Sequence, residues 1–478
     1  MPRFGAGAGK LRCRPRKDRE QACCKSGPGQ ERRGAGPARK EANMTFDRIN
    51  MDAFEQELVE LRRDFHRYAE SGWTEFRTTA RIIRELEKLD LPVKYGPEIH
   101  VKEKMYGLPK PEVLNACWQR ALGETDHPEL VRAMEGGYTG CITEIDGALP
   151  GPTVGIRVDI DCNDVVESTS PDHVPAAEGF RSVHENCMHA CGHDAHAAIG
   201  IGAAKLLAAY RDQLRGKVIL VFQPGEEGLR GAASLTAKGH FSNCDYFFGG
   251  HVGLLDGHDI GTVCTSGHGF LCSTKFDIAF HGVPSHAGAS PENGRNAMAA
   301  AATAVLNLLA IPRHSAGTSR INIGTLKAGS GRNVIPGEAE MTIETRGKTT
   351  EINDFMYESA MRVCKAAADM YGCTMESRFM GSAGNVDCDP EAIALVRRVL
   401  EHTEGVTKIV DDVDFGGGED VTTMMRDVQA HGGKVTEMVL CMPLKAPHHN
   451  DFFDVDERVI PLGARIFASI ALAAGEEA

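Results

Sequence analysis

Within ten residues the chain places Cys187, His189, Cys191, His193 and His196, so half of the segment 187–196 is thiol or imidazole. Thiolate and imidazole are common ligands of borderline divalent ions, and a Cys-x-His step lets Cys191 and His193 reach one ion pair without strain. An Ala/Leu-rich stretch that reads as a helix over 196–214 follows directly. The cluster is therefore expected on a loop at a helix N-terminus, where the positive end of the dipole favours a thiolate. The bland alternative is a set of buried thiols and capping histidines.

An apolar, strand-like run over 218–224 leads into Gly225-Glu226-Glu227-Gly228. That puts two carboxylates at the carboxyl end of a strand, where open α/β sheets bind ligands. Adjacent side chains point differently, so one glutamate can bind metal while its neighbour holds a proton. A Glu-Glu pair alone is usually a solvated helix start; its place beside the Cys/His cluster changes the reading. A third strand-like run, 246–251, ends in His251, and His448-His449-Asn450 lies near the C-terminus. A lone histidine in either place is more often a core or surface residue than a ligand. Taken together, Cys191, His193, Glu227, His251 and His449 form a mixed N/O/S set, and two ions could share a bridging ligand.

These side chains need a scaffold. From residue 51 Phe54, Leu58, Leu61, Phe65 and Tyr68 recur at three- and four-residue steps, the stripe of an amphipathic helix. Short β-rich runs at 153–161, 217–223 and 245–250 alternate with helical ones, which indicates an α/β fold with a mostly parallel central sheet. Around Cys272 the texture changes. Strand patterns at 273–282, 320–327, 338–346 and near 373–379 alternate with helical ones at 294–310 and 351–371. That β-α-β-β-α-β order is the order of a ferredoxin-like sandwich. Past Gly381 the α/β texture resumes, with helices at 390–402 and 420–431, a strand at 434–442 and a final helix from Asp456. The expected organisation is a catalytic domain, 44–269 and 382–478, interrupted by a small domain, 270–381. The mixed stretch 101–138 reads as an insertion covering one edge of the main domain.

Composition narrows the function classes. The 478 residues carry 53 Lys+Arg against 66 Asp+Glu, net −13, which argues against nucleic-acid binding. The first 43 residues run the other way, with 12 Lys/Arg against 4 Asp/Glu, and read as a basic, disordered extension too poor in apolar residues to order itself. Fifteen cysteines, an odd number with several beside histidines, point to a reducing, cytoplasmic setting rather than a disulfide framework. No run approaches the ~20 apolar residues that cross a bilayer, so no membrane partner is expected.

Four motifs occur in order: His-Ala-Cys-Gly-His-Asp-Ala-His at 189–196, Gln-Pro-Gly-Glu-Glu-Gly at 223–228, Ser-His-Ala-Gly-Ala at 285–289 and Gly-Arg-Asn-Ala at 294–297. Together they resemble the aminoacylase and carboxypeptidase G-type metallopeptidases, in the hippurate and auxin-conjugate hydrolase branch. The resemblance runs from about residue 51 to 473. Stretches 62–73, 105–109 and 135–140 look closest to the A-type subunits of aminobenzoyl-glutamate hydrolase. The resemblance implies Cys191 as a bridging ligand, with His193, Glu227, His251 and His449 completing a dinuclear site for Mn²⁺, favoured, or Zn²⁺. His449 is preferred to His448 because His449-Asn450 matches the family's His-Asn or His-Ser step. Glu226 would be the general base, and Asp159 would orient a ligand from behind.

The inserted domain would serve as lid and dimerisation domain. His286 would reach into a partner subunit's site to stabilise the oxyanion, and Asn333 and Arg346 would hold the substrate's carbonyl and terminal carboxylate. A planar guanidinium suits that last task. Two departures from the classical peptidase branch are Arg157, where that branch has a ligand histidine, and Cys191, where it bridges with Asp. The activity implied is hydrolysis of N-acyl amino acids, p-aminobenzoyl-glutamate above all, by a homodimer or by a heterodimer with a related chain. A hippurate- or indole-acetyl-type aminoacylase is the alternative. A non-catalytic binding or regulatory protein retaining the fold is a third reading, against which the intact Glu226 and ligand set weigh.

Overall fold

The apolar stripe that begins at Met51 folds as the helix Met51–Arg67, started by Asn50, whose side chain accepts from the Ala53 N–H. Its buried face carries Phe54, Leu58, Leu61 and Phe65. In the computed structural model of the chain, residues 45–255 and 257–476 are described, and the basic 1–43 extension lies outside them.

The strands at the centre belong to one eight-stranded sheet. Its order is Val93–Tyr95, Cys141–Asp146, Arg215–Gln223, Leu149–Asp159, Tyr246–Val252, Lys434–Leu440, Thr262–Cys264 and Lys408–Val410. Arg215–Gln223, Leu149–Asp159, Tyr246–Val252 and Lys434–Leu440 run parallel, and antiparallel pairings begin on either side of them. Asp159, Gln223 and Val252 thus end neighbouring strands at the same edge, and Asp161, Glu226 and Glu227 follow directly on the first two.

The helix His193–Ala209 packs against Val459–Ala474 and Met51–Arg67. Its Ala/Gly-rich sequence follows from how close it lies. A Cβ on Gly200 would stand 2.7 Å from the Phe222 ring, and one on Gly202 2.7 Å from the Ala464 Cβ. This helix begins three residues earlier than the sequence pattern suggests, because Gly192, at φ +91°, makes the turn that lets His193 enter the first helical turn.

Residues 272–383 form a second, four-stranded sheet, fully antiparallel, in the order Thr374–Ala383, Cys272–His281, Glu338–Gly347, Ser319–Ala328. The helices Ala297–Leu309 and Thr350–Met370 pack on it, giving the β-α-β-β-α-β order read from the sequence. Phe276, Ile278, Phe280, Met341, Ile343 and Met356 build its own core, separate from that of the large sheet.

The stretch 101–138 does more than flank a sheet edge. Its helices Pro111–Gly123 and Pro128–Ala133 pack on Phe76–Glu87. Its first residues reach the small sheet, where the Tyr106 ring lies 4.6 Å from that of Phe379 and the Leu108 carbonyl accepts from Arg378. Among the described residues no helix is long and apolar enough to cross a membrane.

Candidate metal centre

Cys191 ends the loop before the buried helix, and its Sγ lies 3.5 Å from His251 Nε2. His251 Nδ1 donates to the Val252 carbonyl at 2.8 Å, which leaves Nε2 as an acceptor facing the Cys191 thiol. His193 repeats the device: Nδ1 donates to the Asp161 carbonyl at 3.0 Å, and the buried Nε2 has no partner. Glu227 Oε1 lies 3.2 Å from Nε2 of His449, a half-exposed residue held at φ +64°. The donor atoms of Cys191, His193 and His251 lie within 4.8 Å of one another, as do those of Cys191, Glu227 and His449. Cys191 is common to both groups, the position a bridging ligand needs.

A cation fits this set. Buried lone pairs without a donor are costly, and burial pushes the Cys191 thiol up to about 12, so a thiolate there needs a positive neighbour. His196 does not join the donors. Its Nδ1 is 2.5 Å from Asp159 Oδ1 and its Nε2 accepts the Val252 N–H at 2.9 Å, so both ring nitrogens are engaged. Asp159 therefore sits directly against His196 and only 3.7 Å from His193 Nδ1.

The two glutamates owe their placement to carboxylates that the sequence reading did not single out. Asp161 accepts the Glu226 N–H at 3.0 Å on one oxygen and the Glu227 N–H at 2.9 Å on the other. Glu75 accepts the preceding N–H, of Gly225, at 2.8 Å. Asp420 accepts those of Gly231 and Ala232 at 3.1 and 3.0 Å. Three buried carboxylates thus clamp one turn. Behind it the buried Arg157 donates to Gln223 and Glu419 at 2.9 Å each and pairs with Asp159 at 2.7 Å. The Arg157 guanidinium therefore acts as the counter-charge of an acidic cluster. A trace of this was legible in the alternation Arg157, Asp159, Asp161, since every second residue of a strand shares a face. Glu75, Glu419 and Asp420 gave no local signal.

The paired glutamates differ in charge preference. Burial, reinforced by Glu419 and Glu227, pushes Glu226 well above the usual carboxylate range. Burial also opposes the charge of Glu227, but the His449 contact and His193 outweigh it and hold Glu227 at about 2. Environments that separate two neighbouring carboxyls favour charge on one and a proton on the other.

Cys191, Glu226, Glu227, His251 and His449 line one side of a cavity of about 270 Å³, and Ser273, Lys275, Glu344 and Arg346 of the small sheet line the other. Arg346 is locked to Glu344 by two contacts of 3.0 Å. His286 and Asn333 do not line this cavity. They sit on two facing loops joined where residues 286 and 334 pair, and His286 Nδ1 accepts the N–H groups of Gly288 and Ala289 at 3.2 and 3.0 Å. That leaves Nε2 of this exposed residue as the donor.

With this geometry in place, residues 155–473 match the peptidase family M20/M25/M40, and the chain belongs to that family of amide-bond hydrolases. It is 42% identical over 417 residues to an indole-3-acetyl-aspartic acid hydrolase of Enterobacter agglomerans, covering 87% of this chain and 95% of the relative. It is 41% identical over 416 residues to the A-type subunit of the p-aminobenzoyl-glutamate hydrolase of Escherichia coli K12, with the same coverages of 87% and 95%. Among solved structures, an aminobenzoyl-glutamate utilization protein from Klebsiella pneumoniae superposes with TM-score 0.76 at 36% identity, over 89% of this chain and 98% of that one. A dinuclear metal-binding peptidase of Bacillus subtilis superposes with TM-score 0.61 at 25% identity, over 89% and 99%.

Proposed function

We propose that this protein hydrolyses the amide bond of N-acyl amino acids, with p-aminobenzoyl-glutamate, cleaved to p-aminobenzoate and glutamate, as its main substrate. The observation that carries the reading is a buried Glu226 beside five donors grouped around a shared thiol. Cys191, His193, Glu227, His251 and His449 would hold two divalent ions, manganese in preference to zinc. When bound, the ions supply Lewis acidity toward the amide carbonyl and the attacking water. Glu226 takes a proton from that water as its oxygen bonds to the carbonyl carbon. It then returns the proton to the departing amine nitrogen as the C–N bond breaks.

The small sheet, residues 270–381, acts as lid and dimerisation domain on a catalytic domain built from 44–269 and 382–478. Arg346 receives the terminal carboxylate and Asn333 the carbonyl side of the substrate. His286 lies away from the cavity of its own chain with Nε2 set as a donor, so it stabilises the oxyanion in a partner protomer. That partner is a copy of this chain or a related one; the E. coli relative, whose name makes it one part of a multi-chain hydrolase, supports either. All twelve described cysteines are free thiols, which supports a reducing, cytoplasmic setting.

The relatives named for aminobenzoyl-glutamate and for indole-acetyl-aspartate differ in acyl group but share an acidic amino acid, so an indole-acetyl-aspartate hydrolase is the second reading. Purified protein loaded with Mn²⁺, assayed on both substrates and on benzoyl-glycine, separates the two. Glu226→Gln is expected to lower kcat by about 10³-fold with metal content unchanged. A Glu226→Gln protein as active as the parent would sink the mechanism.

A further inference from the structure

Opposite the metal donors, the cavity wall is made by the adjacent strands Cys272–His281 and Glu338–Gly347. Their register sets Lys275 across from Glu344 and Ser273 across from Arg346. Residues two apart on a strand share a face, and all four of these side chains line the cavity. Glu344 is already committed. Its oxygens take Nε and Nη2 of Arg346 at 3.0 Å each and the Ser273 hydroxyl at 2.9 Å. Lys275, half-buried, makes no ion pair among the described residues, although its charge is felt at both Glu344 and His449.

Two cations and one carboxylate leave this wall one positive charge in excess, on the side of the cavity facing the donors. A half-buried ammonium whose nearest carboxylate, Glu344, is already bonded to Arg346 and Ser273 recovers only part of its lost hydration in the free protein. It gains a partner when an anionic group enters. Arg346 alone suffices for a substrate with a single carboxylate; a second cation two strand positions away on the same face suits a second one. Glu344 attracts Lys275 but is bonded to Arg346 and Ser273, so the ammonium stays open to a second carboxylate, whereas Arg346 keeps the fork geometry for the α-carboxylate.

We propose that Lys275 binds the side-chain carboxylate of an acidic amino acid in the substrate, so that the site selects N-acyl-glutamate or -aspartate over their neutral counterparts. The inference rests on the amidohydrolase function proposed for this site and adds the residue that sets its amino-acid specificity.

The test compares aminobenzoyl-glutamate with aminobenzoyl-glutamine, which differ only in that side-chain charge, in the Mn²⁺-loaded parent, Lys275→Met and Lys275→Arg. The parent is expected to favour the glutamate substrate, and Lys275→Met to shrink the ratio of the two kcat/KM values by about 10- to 100-fold, mainly through KM for glutamate. Lys275→Arg is expected to restore most of the ratio. The inference is overturned if Lys275→Met leaves the ratio within about threefold of the parent's, whether both rates fall together or neither changes. A parent that hydrolyses neither substrate nor any other N-acyl amino acid would instead overturn the amidohydrolase reading, so the two failures are distinct.

Discussion

Asp161→Asn keeps the shape of the side chain and removes one acceptor. In the parent, the two carboxylate oxygens receive the N–H groups of Glu226 at 3.0 Å and Glu227 at 2.9 Å. An asparagine has a single acceptor oxygen, so its NH₂ must face one of those two N–H groups whichever way the amide is turned. One charge-assisted hydrogen bond is lost and a buried donor is left without a partner, together about 2–3 kcal/mol. The turn itself should stay folded, because Glu75 still holds Gly225 at 2.8 Å and Asp420 still holds Gly231 and Ala232 at 3.1 and 3.0 Å. The loss is then felt locally, as a tilt of the general base relative to the ligand beside it. At about 1.4 kcal/mol per tenfold, kcat is expected to fall about 30- to 150-fold. The assay is steady-state hydrolysis of aminobenzoyl-glutamate at saturating Mn²⁺, with metal content measured in parallel. Because the Asp161 main-chain carbonyl still accepts from His193, at 3.0 Å in the parent, the ions should stay bound. An Asp161→Asn enzyme within about threefold of the parent kcat would refute the clamp.

Three further outcomes follow from the same geometry. Burial opposes ionisation of Glu167, but hydrogen bonds from His173 and His66 outweigh it and hold the carboxyl at about 2. Since this lies below the unfolded value of about 4.3, the stabilisation, about 3 kcal/mol, is complete above pH ~4.5 and is lost as the pH falls toward 2. Chelated Glu167→Gln protein should therefore be less stable than the chelated parent at pH 7 by urea titration, with the gap closing between pH ~4.5 and ~2; a gap independent of pH would contradict this. Cys191→Ser is expected to lower the bound metal from two ions to one or fewer per chain, read by elemental analysis, and full occupancy would remove the thiol from the site. Finally, mixing inactive Glu226→Gln and His286→Ala chains should restore part of the activity, because one site of each hybrid dimer then has an intact Glu226 and an intact His286 from the other chain. No recovery, with hybrids shown to form, would place His286 outside the reaction.

The architecture was legible because it is written in local periods. The 3.6-residue stripe from Phe54 to Phe65 and the alternation through 273–282 each report a buried face directly, and both occur as elements close to where they were read. Part of the candidate donor set was visible for a different reason: Cys and His are scarce, so the cluster at 187–196 that holds Cys191 and His193 stands out without a fold, whereas Glu227, His251 and His449 lie outside it. What the sequence hid were common residue types whose role exists only after folding. Glu75 lies 150 residues from the Gly225 N–H it accepts, and Glu419 lies 262 from Arg157. Neither sits in a motif that spacing alone would single out. The start of the helix at His193 was missed because a left-handed Gly192, not a side-chain cap, begins it.

Anomalous diffraction at the manganese edge, from crystals grown with Mn²⁺, tests most directly whether one thiol joins two ions beside Glu226. Two peaks about 3.5–4 Å apart are expected, both within bonding distance of Cys191 Sγ, with His193, Glu227, His251 and His449 completing their coordination and Glu226 bound to neither. A single peak, peaks that leave Cys191 uncoordinated, or manganese seated at the buried His66, Glu167 and His173 instead would contradict a thiol-bridged dinuclear site.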